Sequence, residues 1–293
     1  MSTPPPVLSN TASLYVVATP LGNLRDIGLR ALDVLAAVSV VAAEDTRHTR
    51  VLLAAHGIDA RLIAAHQHNE QEAAARICDL LAQGRHVALV SDAGTPAISD
   101  PGARIVRAVQ EAGYPVVPVP GACALAAALS VSGLIDGRFL FQGFLPAKAA
   151  ARRSALEALR EQATTLVFYE APHRVGETVA DMLAVFGPGR ELVVCRELSK
   201  LFEQISRMPL AEAPAWFAGD VHRSRGEFVL LVSAPPAHQG LSPEADRVLR
   251  LLLGELPVKS AARLAAEITG LGRNPLYQRA LELRDGSQGP RHR

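Results

Sequence analysis

The sequence has few cysteines and no motif that is typical of a metal site. Its 293 residues include only three cysteines, Cys78, Cys123 and Cys195, which are far apart and form no CxxC pair. This spacing argues against a zinc site and against a disulfide framework, and it is typical of proteins in a reducing cytosol. We therefore expect a cytoplasmic protein that uses no metal.

Long apolar segments and signal sequences are also missing. No window has the uninterrupted apolar length of a membrane span, so we expect no membrane partner. Residues 1–13 are polar and rich in proline, and they lack the basic and apolar regions of a signal peptide. We expect them to form a disordered tail.

The chain carries almost no excess charge and none of the common nucleotide-binding motifs. Thirty basic residues stand against 29 acidic ones, so a nucleic-acid partner would have to be met by a local basic patch. GxGxxG, GxxxxGK[ST], GxSxG and HExxH are all absent. These absences disfavour dinucleotide-binding proteins, P-loop proteins, α/β-hydrolases and zinc proteases.

Apolar strands and helices alternate over residues 14–120, which predicts an N-terminal α/β domain with a parallel, doubly wound sheet. Residues 121–234 differ, because two predicted strands follow each other directly around Leu201; a hairpin there predicts a second α/β domain with a mixed sheet. Residues 233–243 have the composition of a linker. Residues 242–285 show helical patterns and no strand pattern, which predicts a small C-terminal domain resembling a helix-turn-helix. The predicted strands are Leu14–Ala18, Val38–Ala43, Arg61–Ala65, Val87–Val90, Pro115–Pro118, Arg138–Gln142, Thr165–Tyr169, Leu192–Cys195, Glu203–Arg207 and Glu227–Val232.

Four polar loops follow predicted strands: TPLGN, AEDTRHT, SDAGTP and YEAPHR. Ligands of open α/β sheets bind outside the carboxyl ends of the strands, so we expect these loops to gather at one site. Each loop also has a simpler interpretation. Asp45 and Asp100 could cap helices, and His48 or His173 could be a surface histidine.

These loops carry a resemblance to a known family. LYVVATPLGNLRDI, AAEDTRHT, HNEQ, VALVSDAGTPAISDPG, VPVPGACA, GFLPAK and LVFYEAPHR resemble the RsmI family, and the resemblance extends from about Leu14 to Leu283. The resemblance implies a tetrapyrrole-methylase-like α/β fold, with two α/β domains, a cofactor cleft between them and a C-terminal helical domain. It also implies a homodimer that uses S-adenosyl-L-methionine to methylate the ribose 2′-oxygen of a cytidine in the decoding region of 16S rRNA, in the small ribosomal subunit.

The positions of the motifs imply which residues bind the cofactor. They lie in the TPLGN loop, in and after the SDAGTP loop, after Pro120-Gly121 and at the end of the predicted strand Thr165–Tyr169: Pro20, Asp92, Gly94, Thr95, Ile98, Ser99, Cys123, Ala124 and Tyr169.

A ribose hydroxyl is a weak nucleophile, so a nearby carboxylate or imidazole should assist its attack. The candidates for this role are Glu44, Asp45, His48, Asp100 and Glu170, and Arg47 or Arg174 could hold a phosphate or orient a carboxylate. Among them, Glu44, Asp45, His48, Glu170 and Arg174 form the predicted catalytic set. The sequence does not decide which group acts as base.

Two basic regions are candidates for holding RNA. Lys148, Arg152 and Arg153 follow the GFLP segment, and residues 244–293 carry nine Lys or Arg against six Asp or Glu. Both could instead be ordinary solvated or packing surfaces. Two other functions remain open, a methyltransferase of a small, tetrapyrrole-type substrate and an RNA-binding protein without catalytic activity.

Overall fold

Two five-stranded sheets and a separate group of helices make up the computed structural model. It describes residues 7–134, 137–236, 241 and 243–286. The chain divides into two compact units, 1–234 and 235–293, and both sheets belong to the first. The predicted fold class is confirmed. Residues 1–6 of the expected tail lie outside the described residues, whereas Ser9 donates a backbone hydrogen bond to the Tyr15 hydroxyl at 2.7 Å. Ser13 is fully buried, so the part of this segment that adjoins the first strand is packed against the fold.

The first sheet is entirely parallel, as the alternation of strands and helices predicts. Its strands β2 and β4 are apolar and buried at every position, because helices cover both faces. The strands follow the order β3-β2-β4-β1-β5. They are β1 Leu14–Val17, β2 Val40–Ala43, β3 Leu62–Ala64, β4 Val87–Val90 and β5 Val116–Val119.

Five helices accompany this sheet: α1 Leu29–Ala37, α2 Thr46–Ala55, α3 Glu70–Ala82, α4 Ala103–Glu111 and α5 Ala124–Ser132. Residues of α3 and α4 build the core on one face of the sheet, and residues of α1 and α2 build the core on the other. The apolar helix α5 follows the sheet in sequence but packs on the second one.

The second sheet is mixed, with the order β6-β7-β10-β8-β9. Only β6 and β7 pair in parallel, and the predicted hairpin is the antiparallel pair β8 and β9. The strands are β6 Phe139–Phe144, β7 Thr165–Glu170, β8 Glu191–Arg196, β9 Gln204–Pro209 and β10 Phe228–Val232. The helices of this region are α6 Ala149–Leu159, α7 Val175–Phe186 and α8 Ala213–Ala218.

Helix α8 is the one α-helix of the described chain that the sequence analysis does not predict. It has six residues with a proline in its first turn, which is too short for a helical period to show. Its Phe217 packs in the core of the second sheet.

The described residues of the second unit form three helices: α9 Pro243–Glu255, α10 Val258–Thr269 and α11 Arg273–Gly286. Buried apolar residues from all three form one small core, with Leu249, Ala261 and Leu276 fully buried. Gly270 ends α10 in the left-handed conformation that favours glycine. Within the described residues, no helix is both long and apolar enough to cross a membrane.

Candidate active site

A cavity of about 410 Å³ lies between the two sheets. The loops after β1, β2 and β4 reach it from the first sheet, and the ends of β6, β7 and β8 reach it from the second. Its size is within the range of about 300–1,000 Å³ that is usual for small-molecule sites. The polar and small residues at its wall include Glu44, Asp92, Gly94, Thr95, Ser99, Asp100, Cys123, Tyr169, Glu170 and Glu227; the apolar ones include Leu21, Ile98, Phe144, Leu198 and Val229.

The loop after β4 is fixed by backbone contacts. Thr19 and Gly94 exchange two backbone hydrogen bonds of 2.9 Å, and the Thr95 hydroxyl donates to the Ala122 carbonyl at 3.0 Å. Gly94 has a φ of +82°, and a Cβ atom there would lie 3.3 Å from Leu21 Cδ2. The position therefore favours glycine for two reasons, its backbone conformation and its close neighbour.

Two acidic loops are tied to each other at the edge of the first sheet. The Asp45 amide donates to Asp92 Oδ1 at 2.9 Å, and the Asp92 amide donates to Glu44 Oε2 at 3.4 Å. Burial raises the pKa of Glu44, and the charges of Asp92 and Asp45 raise it further, although the Asp92 amide and His66 act in the opposite direction. The cavity therefore concentrates negative charge at this edge.

Glu170 is held by donors on three sides at the end of β7. Its carboxylate accepts from the Thr178 hydroxyl at 2.6 Å and from the Ala171 amide at 2.7 Å, and Arg174 Nε donates to it as well. The Glu170 side chain is fully buried. These donors fix the position of the Glu170 carboxylate, which therefore shapes the loop after β7.

Tyr169 connects β7 to the start of α5. Its hydroxyl accepts a hydrogen bond from the Leu125 amide at 2.9 Å, and its ring makes edge contacts with Phe141 and Phe144. Burial raises the pKa of Tyr169, and the Cys123 thiol is an immediate neighbour. The phenol is therefore a neutral group at the cavity wall.

The structure places ten of the fourteen predicted site residues at the cavity: Glu44, Asp92, Gly94, Thr95, Ile98, Ser99, Cys123, Ala124, Tyr169 and Glu170. The other four, Pro20, Asp45, His48 and Arg174, do not line it. Pro20 is buried beside the cavity loop, and His48 is exposed on α2.

Asp45 and Arg174 have evident structural roles. The Asp45 carboxylate caps α2 by accepting from the Arg47 amide at 2.8 Å and pairs with the Arg47 guanidinium, which lowers the pKa of Asp45. Arg174 pairs with Glu170. The simpler interpretation of Asp45 as a helix cap is therefore the one that the structure supports.

The sequence analysis misses Glu227 and Leu198 as cavity residues. It considers the carboxyl ends of parallel strands, but β10 runs antiparallel to β7 and β8. The amino end of β10, where Glu227 lies, therefore reaches the same edge as the carboxyl end of β7. Leu198 lies in the turn between β8 and β9.

Two residues of the basic edge Lys148, Arg152 and Arg153 are engaged in ion pairs, although Arg153 is 62% exposed. Arg152 is 2% exposed and donates to Asp181 Oδ2 at 2.7 Å, while Arg153 donates to Asp181 Oδ1 at 2.6 Å. Both guanidinium groups therefore hold α6 against α7. No group of three or more His, Cys, Asp or Glu side chains suited to a metal occurs among the residues that the structure describes.

Residues 13–214 match the family model described as Tetrapyrrole (Corrin/Porphyrin) Methylases, and residues 239–284 match the RsmI C-terminal HTH domain. The chain is 56% identical over 276 residues to the Ribosomal RNA small subunit methyltransferase I of Pseudomonas aeruginosa, covering 93% of this chain and 98% of that one. The chain belongs to the RsmI family of tetrapyrrole methylases. Its RsmI relative from Escherichia coli O157:H7 is 50% identical, with 94% of this chain and 96% of that one covered.

Solved structures share the fold of the RsmI chain at lower identity. A uroporphyrin-III C-methyl transferase from Thermus thermophilus, complexed with S-adenyl homocysteine, superimposes with a TM-score of 0.53 at 20% sequence identity. The match covers 76% of this chain and 97% of that one. The family models and the curated relatives confirm the family resemblance in the sequence analysis, and the solved structure supports the fold.

Proposed function

We propose that the protein transfers a methyl group from S-adenosyl-L-methionine to the ribose 2′-oxygen of a cytidine in the decoding region of 16S rRNA, in the cytosol. The cavity between the two sheets is the observation that carries the proposal, because ten residues expected at such a site line it. The curated relatives, named as small-subunit ribosomal RNA methyltransferases, supply the substrate class.

The residues of the cavity suit this cofactor. S-adenosyl-L-methionine carries a cationic sulfonium and a cationic amino group, and the wall contains the carboxylates of Glu44, Asp92 and Asp100. Leu21 and Val229 offer apolar surface for an adenine ring. We assign the holding of the cofactor to the loop 92–95, to Cys123 and Ala124, and to Tyr169. The cofactor supplies an activated methyl group, and the chain itself aligns the reactants and excludes water.

The substrate side of the reaction requires RNA to be held near the cavity. Since Arg152 and Arg153 are engaged by Asp181, we assign this task to the helical unit 243–286. Lys259 and Arg273 are exposed there, and neither has an ion pair with another described residue. Arg263, by contrast, pairs with Glu267 at 2.9 Å. Phosphate contacts of this kind give affinity without reading sequence.

We propose that the protein works as a homodimer and that a second copy covers α5. Seven of the nine residues of this helix are apolar, but only Ala128 and Ser132 are buried in a single chain. Val131 is 47% exposed, and Ile205 on the neighbouring strand β9 is 41% exposed. A helix that is apolar all round is normally buried. Light scattering of the wild type should give twice the mass of one chain. The Val131→Lys substitution should lower the measured mass toward that of the monomer. A monomeric wild type would contradict the proposal.

Mapping ribose methylation in 16S rRNA from cells that lack this protein tests the function. One 2′-O-methyl cytidine should disappear, and a plasmid copy of the gene should restore it. An unchanged methylation map would contradict the proposal. A tetrapyrrole methylase would leave the map unchanged, and a non-catalytic RNA-binding protein would bind no S-adenosyl-L-methionine in calorimetry.

A further inference from the structure

Asp100 differs from the other carboxylates of the cavity in having few partners. Glu170 accepts from Arg174, Thr178 and a backbone amide. Lys200 Nζ binds Glu227 at 3.0 Å.

The two carboxylates at the edge of the first sheet also have backbone donors. The Asp45 amide binds Asp92, and the Asp92 amide binds Glu44. At Asp100, the neighbouring side chain that lowers the pKa is Ser91, whose hydroxyl also lies 3.4 and 3.3 Å from the Ala93 and Gly94 carbonyls.

A strained loop holds Asp100 at the cavity wall. Ala97 and Ser99 have φ values of +69° and +63°, which are rare for residues other than glycine. The loop is closed by hydrogen bonds from the Ala97 amide to the Pro101 carbonyl and from the Gly102 amide to Glu70 Oε1 at 2.6 Å. Strain of this kind persists only where the surroundings enforce it, and it concentrates at functional sites.

The groups that face Asp100 are acidic and come from three strand ends. Burial raises the pKa of Asp100 to about 6, and the charges of Glu44, Asp92 and Glu227 contribute, against the lowering effect of the Ser91 hydroxyl. Tyr169, which also senses the charge of Asp100, is neutral because burial raises its pKa. A carboxylate with a pKa near the working pH is a better proton acceptor than an ordinary one.

We propose that Asp100 is the general base that accepts the proton of the ribose 2′-hydroxyl. This inference rests on the proposed function. The 2′-oxygen forms a bond to the methyl carbon while the carbon–sulfur bond of the methyl sulfonium breaks, and the electron pair of that bond stays on sulfur. The hydroxyl proton passes to the Asp100 carboxylate, so the charges balance. Glu44 contributes negative charge, and Glu170 shapes the loop after β7.

The test compares Asp100→Asn with Glu227→Gln, which removes another cavity carboxylate. Turnover is measured with saturating S-adenosyl-L-methionine and small ribosomal subunits across pH, and cofactor binding is measured by calorimetry. The wild-type rate should rise with pH through about 6, because the base must be deprotonated. Asp100→Asn should lower kcat by about 100-fold or more and remove this rise. Its affinity for S-adenosyl-L-methionine should change less than threefold, and Glu227→Gln should keep the rise.

Ser91→Ala gives a second variant that does not remove the base. Loss of the Ser91 hydroxyl should move the rise of the rate to higher pH, since that hydroxyl lowers the pKa of Asp100.

The pH dependence of unfolding tests the pKa of Asp100 without a measurement of activity. The folded pKa of Asp100 is above its unfolded value, so ionisation of Asp100 favours the unfolded state as pH rises through about 6. Asp100→Asn should therefore resist denaturant better than the wild type at pH 7.5 and equally at pH 4.

Several results would overturn the assignment. A wild-type rate and pH profile in Asp100→Asn would show that Asp100 accepts no proton. Weakened binding of S-adenosyl-L-methionine, with kcat unchanged, would make Asp100 a cofactor ligand instead. If the wild type methylates no small subunit, both the proposed function and the role of Asp100 are wrong. If the wild type is active and Asp100→Asn is equally active, only the role of Asp100 is wrong.

Discussion

The backbone amide of Asp45 donates a hydrogen bond of 2.9 Å to Oδ1 of Asp92. This contact ties the loop after β2 to the loop after β4 and keeps a carboxylate at the cavity wall. The side chain of Asp92 thus has two separable roles: it accepts a hydrogen bond from the Asp45 amide, and it carries a negative charge.

Replacement of Asp92 separates these properties. Asp92→Asn keeps an oxygen for the Asp45 amide, whereas Asp92→Ala removes it. We expect Asp92→Asn to weaken binding of the cationic S-adenosyl-L-methionine about tenfold, the loss of one charge-assisted contact of roughly 1.5 kcal/mol. The product S-adenosylhomocysteine has a neutral sulfur, so Asp92→Asn should weaken its binding less than that of S-adenosyl-L-methionine. Equal losses for both ligands in calorimetry would show that the charge of Asp92 does not face the sulfonium.

Gly94 and Gly57 form a matched pair for testing the cavity loop. Both have positive φ, +82° and +67°, but a Cβ atom at Gly57 meets nothing within 4 Å. An alanine at either position should lower the free energy of unfolding by about 1–2 kcal/mol because of the left-handed backbone. Only Gly94→Ala should also weaken cofactor binding, since its loop lines the cavity. Normal binding by folded Gly94→Ala would remove this loop from the cofactor site.

Arg152 is expected to matter for stability and not for RNA. Its guanidinium and the Asp181 carboxylate are both nearly fully buried, at 2% and 5% exposure. Removal of one partner of a buried ion pair costs about 3–5 kcal/mol, which denaturant unfolding of Arg152→Ala should show. Lys148→Ala, an exposed neighbour, should leave stability unchanged. Weaker RNA binding by folded Arg152→Ala, with normal stability, would contradict this role.

The helical unit is expected to control the salt dependence of RNA binding. Each phosphate contact contributes about 0.7–0.9 to the slope of log K against log salt. Replacement of Lys259 and Arg273 by alanine should therefore reduce the slope by about 1.4 to 1.8. The control is Arg247→Ala, because Arg247 is already paired with Glu244 at 3.0 Å. If filter binding gives equal slopes for all three proteins, these side chains contact no phosphate.

Most of the fold is predictable from the sequence because its elements have strong periodic patterns. All ten strands lie within two residues of their predicted ends. Most of them are apolar runs bounded by turn residues, whereas β9 mixes polar and apolar residues. The central strand Val87–Val90 is predicted with its observed ends. Helix α8 is missed because six residues cannot show a period.

The cavity residues that lie directly after the carboxyl ends of parallel strands are predictable from the sequence. Gly94 and Asp92 follow a parallel strand and reach the cavity as expected. Glu227 reaches it from the opposite direction, and a sequence does not reveal which strands of a mixed sheet run antiparallel. The pairing of Arg152 with Asp181 joins side chains 29 positions apart, so a basic cluster in sequence becomes a buried contact in the fold.

Methylation of small ribosomal subunits by the purified protein tests the central claim most directly. Subunits from cells lacking the protein are incubated with methyl-labelled S-adenosyl-L-methionine, and the labelled nucleotide is identified after digestion of the 16S rRNA. The account predicts label on the ribose 2′-oxygen of a cytidine in the decoding region. Label on a base, or no label from protein that binds the cofactor, would contradict it.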